Sequence, residues 1–433
     1  MRFLFTGARS PACLEWVRLV QQAGAEWVVA ADSLAFALAG WSNTVDAYER
    51  LPSPRANLRA YEQALYTLIR RHRISCLIPT CEEAFYISQI AEKLRETGCQ
   101  VAVPDFSLMA TLHHKYYFQQ WAAKRLGSSD QWSQTNVTFP ESHLLVDKRD
   151  LYAHAARPGQ SDSLWVLKPA WSRFATQVRV GIRLSELPDA ALHSGIAPTD
   201  RMPWVLQRCV AGTEYCSYSI LHRGQVVAHT CYQPTWRAGA GASGSGICFL
   251  PHSAQAIRRF VERFGAETGA SGQFAFDYIY GTTSEAGARA YHVLECNPRA
   301  TSGIHLVSAS LNDREKRQMV GHGMSLPRPE LNDLPGKTDS QGHGMSLEDN
   351  PLMVALAMLV FGAPSALCTS AAWRKFAGDF ARGRDVIYAS EDPLPVVGQM
   401  FAFAEIVLLA LRQGLPLTSA TTADIEWNGP ESD

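Results

Sequence analysis

The sequence predicts an α/β fold, and three observations predict it. Short apolar runs alternate with helical periodicities through the first 105 residues, and strand-like runs return between residues 164 and 296. The composition, 46% hydrophobic and 19% charged, is that of a globular chain and excludes a largely disordered one. A length of 433 residues suits two to four domains, each able to bury its own core. With 40 Lys+Arg against 41 Asp+Glu the formal charge is −1, a balance that does not point to a nucleic-acid or anionic-membrane partner.

Residues 2–6 read as a buried strand, followed by Gly7-Ala8-Arg9-Ser10 and a helical periodicity through Leu14, Val17 and Val20 that ends at Gly24. A second strand, 27–31, ends on Asp32. Then come a helix at 58–72, a strand at 74–79, a helix at 83–97 and a strand at 100–104. Such alternation implies a parallel sheet with helices on both faces, so residues 1–106 are expected to form a Rossmann-like domain. Gly7 alone stands in the first turn, where a dinucleotide fingerprint needs three glycines to bring the backbone close to a pyrophosphate. This excludes an NAD or FAD site there, and Asp32 reads as a strand-end turn residue.

An aromatic-rich helix at 108–126 carries His113, His114 and Lys115 and closes at Gly127. Strands at 164–168, 177–182 and 204–208 suggest a small α+β module. Next are strands at 216–221 and 225–230, joined through Arg223-Gly224, and a Gly/Ser-rich loop over 232–246. A helix at 253–265 and strands at 272–280 and 290–296 follow. Leu-Asn-Asp followed by Gly-His-Gly-Met-Ser-Leu occurs at 311/321 and again at 331/342. Two copies cannot build a solenoid, so 311–350 reads as a duplicated, mobile linker. Residues 351–433 are expected to form a C-terminal lobe with a strand at 385–389. Glu405 interrupts the most apolar stretch, 394–411, so no membrane span is expected.

Ten cysteines lack any C-x-x-C pair and scatter along the chain, unlike a zinc cage or a disulfide scaffold. MRFLFTGARS lacks the apolar core and cleavage site of a signal peptide. A cytoplasmic protein with reduced thiols is expected, with no nucleic-acid or membrane partner.

The chemistry gathers on the last two core strands. Glu295 and Asn297 are two apart and so share a face, and Asp277 lies on the preceding strand, where it can oppose them. Hard oxygen donors of this kind suit magnesium, which keeps waters and phosphate oxygens as its other ligands. On its own, a carboxylate on a hairpin is an ordinary exposed residue. The order of features upstream adds weight: Lys115, then Val166-Leu167-Lys168-Pro169, then the hinge-like Gln207-Arg208-Cys209-Val210, then Glu214. A lysine after a strand is ordinarily a solvated strand end, but two on separate elements can neutralise a polyphosphate.

The run from about 108 to 305 resembles the ATP-grasp superfamily. It is most similar to the branch with biotin carboxylase and carbamoyl phosphate synthetase, and D-alanine:D-alanine ligase is a more distant relative. Residues 1–106 are similar to its Rossmann-like pre-ATP-grasp domain, and Ile78-Pro79-Thr80-Cys81-Glu82-Glu83 resembles that branch's acceptor-side turn. The resemblance implies two α+β subdomains enclosing ATP. A linker helix and lid subdomain would span 107–210 and a core subdomain with the metal site 211–310, followed by the linker at 311–350 and an α/β extension at 351–433. It further implies that Lys115 and Lys168 bind ATP phosphates, that Gln207, Arg208, Cys209 and Val210 form the adenine hinge, and that Glu214 binds ribose. Asp277, Glu295 and Asn297 would hold Mg2+, with Mn2+ as the alternative. Arg299, with Lys168, would act on the transferred phosphoryl group, for which a guanidinium fork is well shaped. Arg237, Ser302, His305, Glu82 and Glu83 would line the substrate side.

The implied activity is an ATP-dependent carboxylate–amine ligase. It forms an amide through an acyl phosphate and releases ADP and phosphate, acting on small amino-acid-like substrates of specialised metabolism. A homodimer is among the assemblies the sequence allows. Two other readings stay open: a bicarbonate-activating carboxylase or carbamoyl-type enzyme, and a nucleotide-binding regulatory protein without turnover. The second is motivated by a departure from the family, because the loop Ala170 to Thr176 has no glycine to cradle phosphates. Competing motifs fail on spacing: Gly336-Lys337-Thr338 lacks the first P-loop glycine, and Gly241 to Ser245 lacks the last glycine of a nucleophile elbow.

Overall fold

The computed structural model describes residues 1–127, 136–156, 163–172, 177–238, 244–282, 287–323 and 350–430. The chain opens with β1 (Arg2–Thr6), α1 (Pro11–Gln22), β2 (Trp27–Asp32), β3 (Ala47–Arg50), α2 (Leu58–His72), β4 (Cys76–Pro79), α3 (Ala84–Arg95) and β5 (Gln100–Val101). These strands make a parallel sheet in the order β3-β2-β1-β4-β5. Ser10 starts α1 by accepting from the Cys13 N–H, and α1 buries Leu14, Trp16, Val17 and Val20 against the sheet. Strand order reverses between β1 and β4, so a crevice opens beyond Thr6 and Pro79, the place where open α/β sheets bind ligands. The strand expected at 100–104 stops at Val101, because the Val103 N–H turns back onto the Val101 carbonyl and Pro104 has no N–H to give.

The helix expected at 108–126 is two helices, α4 (Phe106–His113) and α5 (Lys115–Arg125). His114 between them is extended and caps α5, its ring accepting from the Tyr117 N–H at 3.2 Å. The Lys115 N–H leaves the helical ladder altogether and bonds Ala170 O at 3.1 Å. After them come β6 (Val137–Thr138), β7 (Ser142–Leu145), α6 (Lys148–Ala155), β8 (Leu164–Pro169), β9 (Arg179–Arg183), α7 (Leu187–His193) and β10 (Trp204–Arg208). An antiparallel sheet in the order β7-β10-β8-β9 buries Trp165, Leu167 and Leu206 in a core of its own.

The third sheet contains β11 (Ala211–His222), β12 (Gln225–Ala238), β13 (Ser245–His252), β14 (Gly272–Thr282) and β15 (Ala290–Asn297), with α8 (Gln255–Thr268) before β14. Arg223 and Gly224, both at positive φ, make the tight turn between β11 and β12, as their sequence suggests. The stretch 232–246 is largely strand rather than loop: residues through Ala238 pair with β13, and only 239–243 lie outside the described residues. Helix α8 seats Phe260 and Phe264 on Phe274, Phe276 and Tyr278. Next are α9 (Gly303–Ser310) and α10 (Asp313–Gly323), so the first repeat copy begins in a helix. Most of the expected linker lies outside the described residues.

Residues 350–430 do not gather into one lobe. β16 (Leu352–Met353) and β17 (Arg384–Asp385), with α11 (Ser370–Arg382) between them, extend the third sheet to β17-β16-β13-β12-β11-β14-β15-β6. The strand expected at 385–389 is only its first residue and the one before it. Helix α12 (Leu394–Gln413) is the one described helix long and apolar enough to cross a membrane, despite Glu405. It lies on the first domain: Gly398 fits over Trp41, and the Glu405 carboxylate accepts the Ala35 and Phe36 N–H groups at 2.8 and 2.9 Å. The first sheet and the third are joined at Gln273, which accepts from Trp16 Nε1 (2.8 Å) and the Tyr218 hydroxyl (2.6 Å) and donates to Pro79 O.

Candidate functional site

The β14/β15 register puts Asp277 directly opposite Glu295, with Cys216 on the other side of Asp277. The Asn297 amide donates to Asp277 Oδ2 at 3.2 Å, so the three expected metal ligands meet. Burial, reinforced by Glu295 and Glu214, pushes the Asp277 carboxyl well up. Burial also works against Glu295, but Lys115 and Lys168 outweigh it and keep that carboxylate ionised.

Both expected lysines converge there from different elements. Lys115, the first residue of α5, lies 3.4 Å from Glu295 Oε2, and its Nζ donates to Ser172 O at 2.7 Å. Lys168, near the end of β8, donates to Gln207 Oε1 at 2.9 Å and lies 3.4 Å from Leu294 O. Burial lowers its pKa to about 8, against the pull of Glu295. His113 and His114 are buried packing residues. Burial and Lys115 hold them neutral, at about 3 and about 4, against Phe85, Tyr117 and Trp171.

The hinge from Gln207 to Val210 does connect the second sheet to the third, but its polar groups are engaged. Gln207 accepts from Lys168 and donates to Ser142 Oγ, while the Arg208 and Cys209 N–H groups bond Glu141 O and Leu164 O. The Gln207 side chain thus sets Lys168 in place instead of facing a base, which alternation along a strand between two partners could have suggested. Val210 is buried, and the Arg208 guanidinium lies over Trp165. Glu214 stands on the Asp277 face of β11 and pairs with Arg237 of β12, so these two meet as well.

Arg299 and Glu82 form a 2.5 Å ion pair across the junction with the first domain, Glu82 being 1% exposed. Burial opposes the charge on Arg299, yet Glu82 holds it protonated. Glu83 and His305, expected on the substrate side, point elsewhere. Glu83 bends over Gly7, where an added Cβ would meet its carboxylate at 2.7 Å. Its Oε1 accepts from Thr6 Oγ1, Thr80 N and Cys81 N, while Oε2 is buried beside a cavity of about 10 Å³, room for one water. The anion site that a dinucleotide would use is therefore filled from within. His305 turns toward α1 and bonds Glu15 at 2.8 Å beneath Phe249, a structural pair. Ser302 begins α9, and its carbonyl accepts the His305 N–H.

Burial raises the Glu83 pKa from 4.5 to about 6, so its folded form favours the proton. That contribution to stability is complete below pH 4.5 and is lost as pH rises through about 6. Glu83→Gln keeps the Oε1 acceptor and cannot ionise. Its stability relative to the wild type should rise by about 2 kcal/mol between about pH 4.5 and pH 8. Urea midpoints across that range test this, and parallel pH curves would refute it.

No protein-family model and no curated protein sequence matches this chain. Solved structures do. Biotin carboxylase from Campylobacter jejuni superimposes with a TM-score of 0.56 at 12% identity, over 76% of this chain and 72% of that one. An L-amino acid ligase from Bacillus licheniformis gives 0.53 at 13% identity, over 75% and 74%. N5-carboxyaminoimidazole synthetase from Staphylococcus aureus gives 0.52 at 10% identity, over 75% and 78%. At such identities the likeness is one of architecture, and that architecture matches the resemblance carried by the sequence motifs: the chain has the ATP-grasp fold.

Proposed function

We propose that this chain is an ATP-dependent carboxylate–amine ligase. The observation that carries the reading is the convergence of buried Lys115 and Lys168, from two separate elements, on the paired carboxylates Glu295 and Asp277, with Arg299 two residues beyond Asn297. Two lysines and a set of hard oxygen donors match a polyphosphate with magnesium. Asp277, Glu295 and Asn297 would hold the ion, which neutralises phosphate charge when bound. Lys115 and Lys168 would bind phosphates, with Gln207 holding Lys168 in place, the hinge at 208–210 would border the adenine, and Glu214 would bind the ribose once Arg237 releases it.

In this reading the substrate carboxylate attacks the γ-phosphorus and ADP leaves, giving an acyl phosphate. The amine then attacks the carbonyl carbon, phosphate leaves, and the amine proton passes to solvent or a nearby base. Arg299 and Lys168 would stabilise charge on the transferred group, and the buried setting limits hydrolysis of the acyl phosphate. The likeness to an L-amino acid ligase supports amino-acid-like substrates. The likeness to the biotin carboxylase domain of 2-oxoglutarate carboxylase from Hydrogenobacter thermophilus, whose structure holds bicarbonate, favours bicarbonate as a second candidate for the carboxylate.

A screen of amino acids, paired and singly, for ADP release with Mg2+ and ATP, with product mass determined for each hit, tests the reading. A bicarbonate arm separates the second candidate. Protein that binds MgATP but forms no ADP with any pair or with bicarbonate would leave a nucleotide-binding regulatory protein instead.

A further inference from the structure

The last described residues, 421–430, return to the first domain and reach the root of the phosphate-side loop. Asp424 is clasped by Arg9 at 2.6 and 2.8 Å, the Asp424 carbonyl accepts from Ser53 Oγ at 2.6 Å, and the Glu426 carbonyl accepts from the Tyr86 hydroxyl at 3.1 Å. These bonds deliver Trp427, 3% exposed, into an aromatic cluster. It stacks on Phe85 at 5.3 Å, meets Phe106 edge-on at 5.4 Å, and meets Trp171 edge-on at 4.9 Å. Two residues on, Gly429 lies so close to the Trp171 indole that a Cβ there would be 2.9 Å from the ring.

Trp171 in turn borders Lys115 on two sides. Its neighbour Ser172 offers the carbonyl that accepts from Lys115 Nζ at 2.7 Å, and its other neighbour, Ala170, accepts the Lys115 N–H at 3.1 Å. Trp171 also meets His114, the cap of α5, edge-on at 4.5 Å. The path from Trp427 through Trp171 and Ser172 to Lys115 ends at Glu295 and is made of direct contacts throughout.

We infer that Trp427 is a positioning residue for the nucleotide site: it fixes Trp171, and through Trp171 the two carbonyls that aim Lys115. The inference rests on the proposed role of Lys115 as a phosphate ligand. A lysine has four rotatable bonds, and a charged head held by the carbonyl and hydroxyl of Ser172 and by the Glu295 carboxylate depends on where Ser172 is fixed. The segment least connected to the site in sequence thus sets one of its charges.

Two measurements test this on the full-length protein. In the nucleotide-free protein, reductive methylation followed by peptide mass analysis reports how shielded Lys115 is; it is 4% exposed in the side chain. Trp427→Ala should speed its modification about tenfold, Trp427→Phe should restore protection, and Trp427→Leu, which keeps apolar volume for folding, should behave like Ala. Unchanged protection in the Ala and Leu variants overturns the inference. Titration with MgATP then gives a double-mutant cycle: Trp427→Ala should weaken binding about tenfold, and have no further effect when Lys115 is already Ala. Equal losses in both backgrounds would mean that Trp427 acts on general stability, and would also overturn it. If Lys115 becomes reactive in Trp427→Ala while MgATP affinity stays unchanged, the positioning holds and the phosphate role of Lys115 fails.

Discussion

Glu295→Gln should lower ADP formation by about a thousandfold while leaving the protein folded. Glutamine keeps the size and one acceptor of the side chain but removes a full negative charge. In the wild type that charge faces Asp277 across the strands and balances Lys115 and Lys168. Without it the proposed ligand set for magnesium drops from two carboxylates and an amide to one carboxylate and two amides. The lysines can still attract the triphosphate, so the loss should fall on kcat much more than on the Kd for ATP. Steady-state ADP release, compared with ATP binding by titration, separates the two. Full activity would remove Glu295 from the metal site.

Arg9→Met should cost about 3–5 kcal/mol of stability, because it strips the counter-charge from a buried carboxylate. Arg9 and Asp32 are 4% and 1% exposed in their side chains, and the guanidinium also grips Asp424. Asp424→Asn is the informative partner. Asp424 is 24% exposed and Arg9 keeps Asp32, so this change should cost no more than about 1 kcal/mol. Urea unfolding of both variants checks the ratio, and similar losses would mean that Asp32 needs no counter-charge. Arg9→Met also releases the segment that carries Trp427, which Arg9 holds at both Thr421 O and Asp424, whereas Asp424→Asn leaves the Thr421 bond in place.

Four of the five strands of the first sheet were legible because short apolar runs alternate with period-3.6 patterns, and the lack of two glycines after Gly7 pointed away from a dinucleotide; β3, a half-exposed edge strand reading Ala-Tyr-Glu-Arg, has no apolar run to mark it. The structure adds the reason that no sequence pattern carries: Glu83 lies over Gly7 only because β1 and β4 are neighbours. Asp277, Glu295 and Asn297 were legible because strand geometry fixes which residues share a face. His305 and Gln207 were misread because a motif locates a residue along the chain and does not say which neighbour claims its side chain. Glu15 comes 290 residues before His305, and Ser142 comes 65 before Gln207. The helix break at His114 was hidden because no Gly or Pro stands between Leu108 and Leu126 to mark it. What breaks it is the Ala170 carbonyl, a tertiary partner. Trp427 had no local signal, since a lone tryptophan near a chain end reads as surface until its cluster is assembled.

The clasp between Arg9 and Asp424 spans 415 residues, and that between Arg18 and Asp392 spans 374. On a ribosome adding about 5–20 residues per second, the opening βαβ units emerge roughly 20–80 s before their C-terminal partners. Throughout that interval Arg9 has Asp32 but no second carboxylate, and the face of the nascent sheet that later receives Trp427 is uncovered. Residues 421–430 therefore complete a structure begun with residues 2–32, and the cluster around Trp427 closes only once they have left the ribosome.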